Sequence, residues 1–179
     1  MLLVCGTARA QEPVHEVSLG LSAFSYNSYF RSSLGFQNMV DLGYRRPLGR
    51  EGLLRLVQVG GGLRTGLSEP SSDVRFPLEA YGLMHVAARM GVWEATLGAE
   101  VGVSGFARLF RPRIPAEDES ILEYARLSPV YLALGAAPLR FRYERAVVSL
   151  LEFHIGSSSW FQGHAVRLHL GLLRVGFTL

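Results

Sequence analysis

Glu152 and His154 stand two positions apart, with Ser157, Ser158 and Ser159 close behind. These are the residue types of a nucleophilic hydrolase: a hydroxyl to attack, an imidazole to take its proton, a carboxylate to orient the imidazole. Residues two apart on an extended strand share a face, so Glu152 and His154 lie together. The next position on that face is Gly156, so no serine stands beside the imidazole. The serines fall in a turn-like run. The spacing favours a carboxylate–imidazole pair within a charge network over a catalytic group.

Other chemistries are equally thin. His15, His85, His164 and His169 are dispersed and Cys5 is the sole cysteine, so no ligand spacing suggests a metal. Gly60-Gly61-Gly62 precedes no helix signal, so it does not read as a phosphate-cradling loop, and no cofactor is expected. The net charge is +3, carried by 18 arginines and no lysine, too modest and too scattered for nucleic acid. Arg111 and Arg113, beside Glu117, Asp118 and Glu119, read first as a solvated mixed-charge loop. A contact to lipopolysaccharide phosphates or a partner is the second reading.

What positions these groups is a repeated two-residue rhythm. Trp93, Ala95, Leu97, Ala99, Val101 and Val103 fall on one face, and Glu94, Thr96, Gly98, Glu100, Gly102 and Ser104 on the other. About eight segments share the pattern: 14–26, 34–45, 53–65, 76–89, 93–106, 121–135, 139–155 and 164–179. Residues 47–52, Met90-Gly91 and Ala136-Ala137-Pro138 read as short turns between them, and Gly60-Gly61-Gly62 as a bulge or close approach. The remaining connections are longer and polar, the longest being 107–120.

Mean hydropathy is +0.20, and charged residues are 18%, against about 25% in soluble domains. No apolar run approaches the roughly 20 residues of a membrane helix. A greasy chain without such a run fits strands that touch lipid with alternate residues. The expected fold is all-β: an eight-stranded antiparallel up-and-down transmembrane β-barrel, with long loops at one rim and short turns at the other. Residues 1–10 read as a signal-peptide remnant, with Ala8-Arg9-Ala10 as a cleavage pattern, and 11–179 as the barrel. Cleavage is favoured over lipidation at Cys5, because Val4 is bulky for a lipobox.

The polar faces supply an expected lumen network: Glu16, Asp41, Arg45, Arg64, Glu79, Arg89, Glu94, Glu100, Arg140, Arg142, Glu144, Glu152 and His154. An eight-stranded barrel is just wide enough for side chains to fill it, so paired charges should plug it. Aromatic girdles are expected at both rims. Tyr44, Trp93, Phe141, Tyr143 and Phe177 fall near the short turns; Phe36, Phe76, Phe106, Phe153 and Trp160 fall near the long loops. A soluble lipocalin-like barrel is the rival, and it would invert the two faces.

Leu173, Val175, Phe177 and Leu179 alternate to the last residue. This resembles the C-terminal strand signal of outer-membrane barrels, although the aromatic stands two residues early. Across its length the chain resembles the eight-stranded OmpA-transmembrane and OmpX type. That resemblance implies the outer membrane of a Gram-negative bacterium, a porin-like envelope protein, and contact with lipid, lipopolysaccharide and the assembly machinery. It also implies a monomer with a structural role or a surface role through its loops. Alternatives are a narrow channel for small solutes or apolar molecules, and a lipid A-modifying hydrolase. The deacylase type carries His and Ser two apart on one strand face; here Gly156 breaks that spacing, so no enzyme is expected.

Overall fold

The computed structural model describes residues 15–28, 33–67, 78–105, 129–158 and 165–179, with the side chains of 26–28, 33–36 and 165 left aside. The chain forms β1 (Glu16–Ser28), β2 (Ser33–Pro47), a 3₁₀ turn (Gly52–Arg55), β3 (Val57–Gly66), β4 (Leu78–Met90), β5 (Trp93–Ser104), β6 (Val130–Tyr143), β7 (Ala146–Ser158) and β8 (Ala165–Thr178). Each strand pairs antiparallel with its neighbour in sequence, and β8 closes on β1. Closure leaves no edge strand, the condition for sheet in a bilayer, where no water satisfies a free backbone group.

Alternation decides which way each side chain points. On β5 the residues Glu94, Thr96, Glu100, Gly102 and Ser104 are buried in the barrel, while Leu97, Val101 and Val103 are exposed outside. The same holds around the wall, where most outward positions are Leu, Val, Ala, Met or aromatic. Every exposed charged residue among those described lies at the turn end: Arg46, Arg50, Glu51, Arg55, Arg89, Glu144 and Arg145. An uncharged apolar wall around a charged interior is the opposite of the lipocalin-like rival. Lipid is the medium that such a wall accepts.

Three adjacent strands break the rhythm together. Inward positions on β6 run Tyr131, Ala133 and Ala137, then change parity to Arg140. On β7 they change from Val147 and Ser149 to Glu152 and His154; on β8, from Arg167 and His169 to Arg174 and Thr178. At each change two consecutive residues face outward: Pro138–Leu139, Leu150–Leu151 and Leu172–Leu173. The register shifts by one residue between β5 and β6 and again between β8 and β1, but not within β6–β7–β8. One line of bulges therefore crosses three strands at one level. Leu151 takes a left-handed φ of 60° there, a strain of about 1–2 kcal/mol.

This fault line corrects the expected boundaries. Ala136-Ala137-Pro138 is not a turn but lies inside β6, and the chain reverses at Glu144–Arg145. Pro138 fits because neither ladder pairs it, so its missing N–H breaks no bond. Glu144 supplies the positive φ of the real turn. Val147 faces in, on the opposite parity from Glu152 and His154 beyond the fault line. The contrast of loop lengths is also less regular than expected. Gly91–Val92 and Glu144–Arg145 are tight, but β2 and β3 are joined by 48–56, which includes the 3₁₀ turn. The segment 107–120 and residues 1–10 lie outside the described residues.

Gly60-Gly61-Gly62 is a close approach, since β3 pairs with β2 and β4 without a register shift. A Cβ at Gly60 would stand 2.0 Å from the Tyr44 carbonyl oxygen. Gly98 is as tight: its Cβ would meet the Met84 oxygen at 2.1 Å and the His85 Cα at 2.5 Å. Gly98→Ala is expected to lower stability by about 1–3 kcal/mol through overpacking, read as the urea midpoint of the folded barrel in micelles. An unchanged midpoint would mean that β4 and β5 can spread.

Candidate functional site

The lumen is where the chain gathers its reactive groups. Strand alternation aims them inward, and the barrel closure brings strands distant in sequence face to face. Two clusters result, one toward the loop end and one at the turn end.

Arg64 organises the loop-end cluster. Its Nε donates to Asp41 Oδ2 at 2.7 Å, its Nη1 to Glu79 Oε1 and Glu100 Oε1 at 2.7 Å each, and its Nη2 to Glu100 Oε2 at 2.7 Å. Tyr81 and Tyr131 lend hydroxyls: Tyr81 donates to Asp41 at 2.7 Å and Tyr131 to Glu100 at 2.8 Å. The Arg64 guanidinium lies 3.8 Å from the Tyr81 ring centroid, and that of Arg167 lies 4.0 Å from the Tyr131 centroid. Arg167 donates to Glu79, from β8 to the diametrically opposite β4. Arg174 joins Asp41 at 2.7 Å and Glu152 at 3.1 Å, and Arg45 lies 3.5 Å from Glu152.

At the turn end Arg140 donates to Glu94 Oε1 at 2.6 Å and to Glu16. Arg142 supports both carboxylates, at 3.1 Å to Glu94 and 3.0 Å to Glu16. Gln58 reaches Glu94 at 3.4 Å. Among the described residues the interior thus holds six carboxylates (Glu16, Asp41, Glu79, Glu94, Glu100, Glu152) and six guanidiniums (Arg45, Arg64, Arg140, Arg142, Arg167, Arg174). Burying one ion costs several kcal/mol, so only a matched, hydrogen-bonded set is tolerable. The balance is what that cost demands.

Eleven of the thirteen residues expected in the lumen are there. Arg89 and Glu144 are not, which corrects the expectation. Arg89 sits past the last inward position of β4, exposed, and donates to the Gly91 carbonyl at 3.2 Å. Glu144 is exposed in the β6–β7 turn, a consequence of the displaced boundary. The sequence reading missed Arg167 and Arg174, because the bulge at Leu172 hides the parity of β8. It also left out Tyr81, Tyr131, His85 and His169. Tyr81 and His85 were visible on the polar beat of β4, but carry no formal charge to single them out.

His154 Nδ1 lies 3.2 Å from Glu100 Oε2 inside the barrel. The Glu152 carboxylate, which would orient a catalytic imidazole, is engaged by Arg174 and Arg45 instead. His154 therefore belongs to the charge network, on the side of the wall away from acyl chains. Its ring lies 6.2 Å from His85 and 5.1 Å from His169, centroid to centroid. Both nitrogens of His85 and of His169 have no hydrogen-bond partner among the described residues. Buried polar atoms of this kind call for ordered water. No group of three or more His, Cys, Asp or Glu among the described residues is arranged to hold a metal ion.

The aromatic residues of the turn end face outward. Tyr44 and Phe177 flank Val17 across β2, β1 and β8, and Trp93 opposes Phe141 across β5 and β6. Their polar atoms are satisfied at the rim: Tyr44 pairs with His15 Nδ1 at 2.5 Å, and the Trp93 indole donates to the Pro138 carbonyl at 2.8 Å. Tyr143 is exposed at the end of β6. Phe153 departs from expectation. It opposes Ala136 and Leu170 at mid-strand, well away from the loop end. The Phe36 side chain and Phe76, Phe106 and Trp160 lie outside the described residues.

No protein-family model matches the chain, and no curated protein matches it. Solved structures do match it. The crystal structure of Neisserial surface protein A (NspA) matches with a TM-score of 0.62 at 8% identity, over 92% of this chain and 97% of that one. The crystal structure of Ail, the attachment invasion locus protein of Yersinia pestis, matches with a TM-score of 0.49 at 16% identity, over 94% of this chain and 100% of that one. With the closed topology and the apolar wall, the likeness to NspA establishes the fold as a small β-barrel of the bacterial outer-membrane type.

Proposed function

We propose that the protein is a closed, non-conducting barrel in the outer membrane, and that its specific contacts are made by the segments joining strands at its loop end. The observation that carries the first half is the Arg167–Glu79 pair. It ties β8 to β4 across the full width of the lumen, directly beside Arg64. Arg140–Glu16 makes a second crossing, from β6 to β1, at the other end. Two charge-balanced crossings leave an ion no dehydration-free path. The lumen is then a filled core and not a transport route, and it is no more suited to a hydrolase, because the Glu152 carboxylate that would orient His154 is taken up by Arg174 and Arg45.

The second half follows by elimination. The wall faces lipid and the interior is filled, so recognition falls to the loops. Arg111 and Arg113 with Glu117, Asp118 and Glu119 belong to one such segment, outside the described residues, and suit phosphate or a charged partner protein. The uncharged wall suits a single barrel surrounded by lipid.

Planar-bilayer recording tests the closed lumen. The wild-type barrel is expected to give no steady current, and a triple Arg140→Ser, Arg142→Ser, Arg167→Ser variant to give one, because Arg142 also holds Glu16 and only then are both crossings cut. A steady wild-type current that disappears in Glu100→Ala would overturn the reading in favour of a narrow channel.

A further inference from the structure

The exposed charges of the described residues sit only at the turn end, and they are unequal: five arginines against two glutamates. Three of the arginines (Arg46, Arg50, Arg55) belong to the end of β2 and the connection that follows it. That connection also exposes leucines: Leu53 is 81% exposed, Leu54 55% and Leu56 42%. None of the residues of its 3₁₀ turn is buried.

The segment is folded, not slack. Leu48 N–H donates to Val57 O at 2.7 Å, Gly49 N–H to Leu54 O at 3.1 Å, and Leu56 N–H to Leu53 O at 3.0 Å. Ala87 N–H donates to Leu56 O at 2.7 Å, which fastens the segment to β4 beside the outward Val86. The exposed leucines therefore lie at the turn-end rim, beside the apolar wall. Arg46 faces outward on the same edge, two residues from the girdle residue Tyr44. Leucines level with the edge of the acyl chains, with guanidiniums at their side, match one surface: a leaflet presenting anionic phosphates above hydrocarbon.

We propose that the β2–β3 connection is an interfacial anchor, inserting Leu53 and Leu54 among the acyl-chain tops of the adjoining leaflet while Arg46 and Arg50 bind the phosphates of anionic phospholipids. A guanidinium and a phosphate form paired charge-assisted hydrogen bonds, so the headgroup is gripped as well as attracted. This extends the membrane-barrel reading to a lipid preference at one rim, independent of whether the lumen conducts.

The test uses the full chain with Cys5→Ser and Leu53→Cys, the new thiol carrying an environment-sensitive fluorophore. The protein is folded into phosphatidylcholine vesicles with or without phosphatidylglycerol, and heat-modifiable gel migration reports the intact barrel. Blue-shifted emission, quenched by lipids spin-labelled near the headgroup, is expected. Quenching should be about twofold stronger with phosphatidylglycerol, and that increment should vanish in Arg46→Gln, Arg50→Gln. Water-like emission, open to an aqueous quencher in both vesicles, overturns the proposal and fits a turn facing a soluble partner. Quenching that ignores headgroup charge overturns the phosphate role.

Discussion

Arg64→Met is expected to cost about 3–5 kcal/mol of folding stability. The methionine keeps the apolar stem but removes the one group that touches Asp41, Glu79 and Glu100 together. Three carboxylates, each shielded from water, then share what Arg167 and Arg174 can still offer. The loss is dominated by charges left unpaired, not by the bonds themselves. Two further variants make that distinction measurable. Glu100→Gln combined with Arg64→Met removes one charge of each sign, and should recover part of the loss as a coupling energy. Arg89→Met, at an exposed site bonded to the Gly91 carbonyl of the adjoining turn, should change stability by less than about 0.5 kcal/mol. The measurement is the urea unfolding midpoint in micelles. If Arg64→Met and Arg89→Met shift it equally, the cluster is not what holds the interior together.

That network marks the boundary of what the sequence reveals. On β5 strict alternation runs unbroken from Trp93 to Ser104, and its inward residues can be named from the chain alone. Asp41, Arg64 and Glu79 are legible for the same reason: their strands meet without a register shift, and the three residues pair across one row. The fault line across β6, β7 and β8 is different. It needs an extra residue in all three strands at one level, and only the closure onto β1 reveals that they agree. Within β8 alone, the run Leu170-Gly171-Leu172-Leu173 looks merely apolar, so Arg167 and Arg174 cannot be assigned to one face. Pro138 misleads in the same way. A proline after two alanines has the look of a turn, until the ladder is seen to leave that position unpaired. Arg89 and Glu144 fail for a simpler reason, since alternation says nothing about where a strand passes out of the lumen.

The outward face permits an equally sharp expectation, because lipid and water price a charge differently with depth. Leu97 is 65% exposed on the outer wall and is the fifth residue of β5 from the turn end. At about 3.4 Å per residue and a tilt near 40°, it stands roughly 10 Å from the rim, near the middle of an apolar band about 25 Å tall. Leu97→Arg is expected to destabilise the barrel in lipid vesicles by about 2–4 kcal/mol, whereas Leu53→Arg at the rim should cost only about 0–1. Val103→Arg, near the loop end of the same strand, should fall between them. The gradient carries more weight than any one value. A leucine on a water-facing wall would accept arginine at every height with little change, because the guanidinium stays hydrated. A leucine packed against a second protein layer would reject it at every height. Only a bilayer makes the penalty peak at mid-strand and fall toward both rims, so three equal midpoints would contradict the assignment of this wall to lipid. The same series separates the wall from the lumen. Thr96 stands next to Leu97 but is buried inside, so Thr96→Arg adds a cation to a balanced set of charges, and its cost should not depend on lipid thickness. The Leu97→Arg penalty should grow in thicker bilayers, where the guanidinium has farther to reach for water.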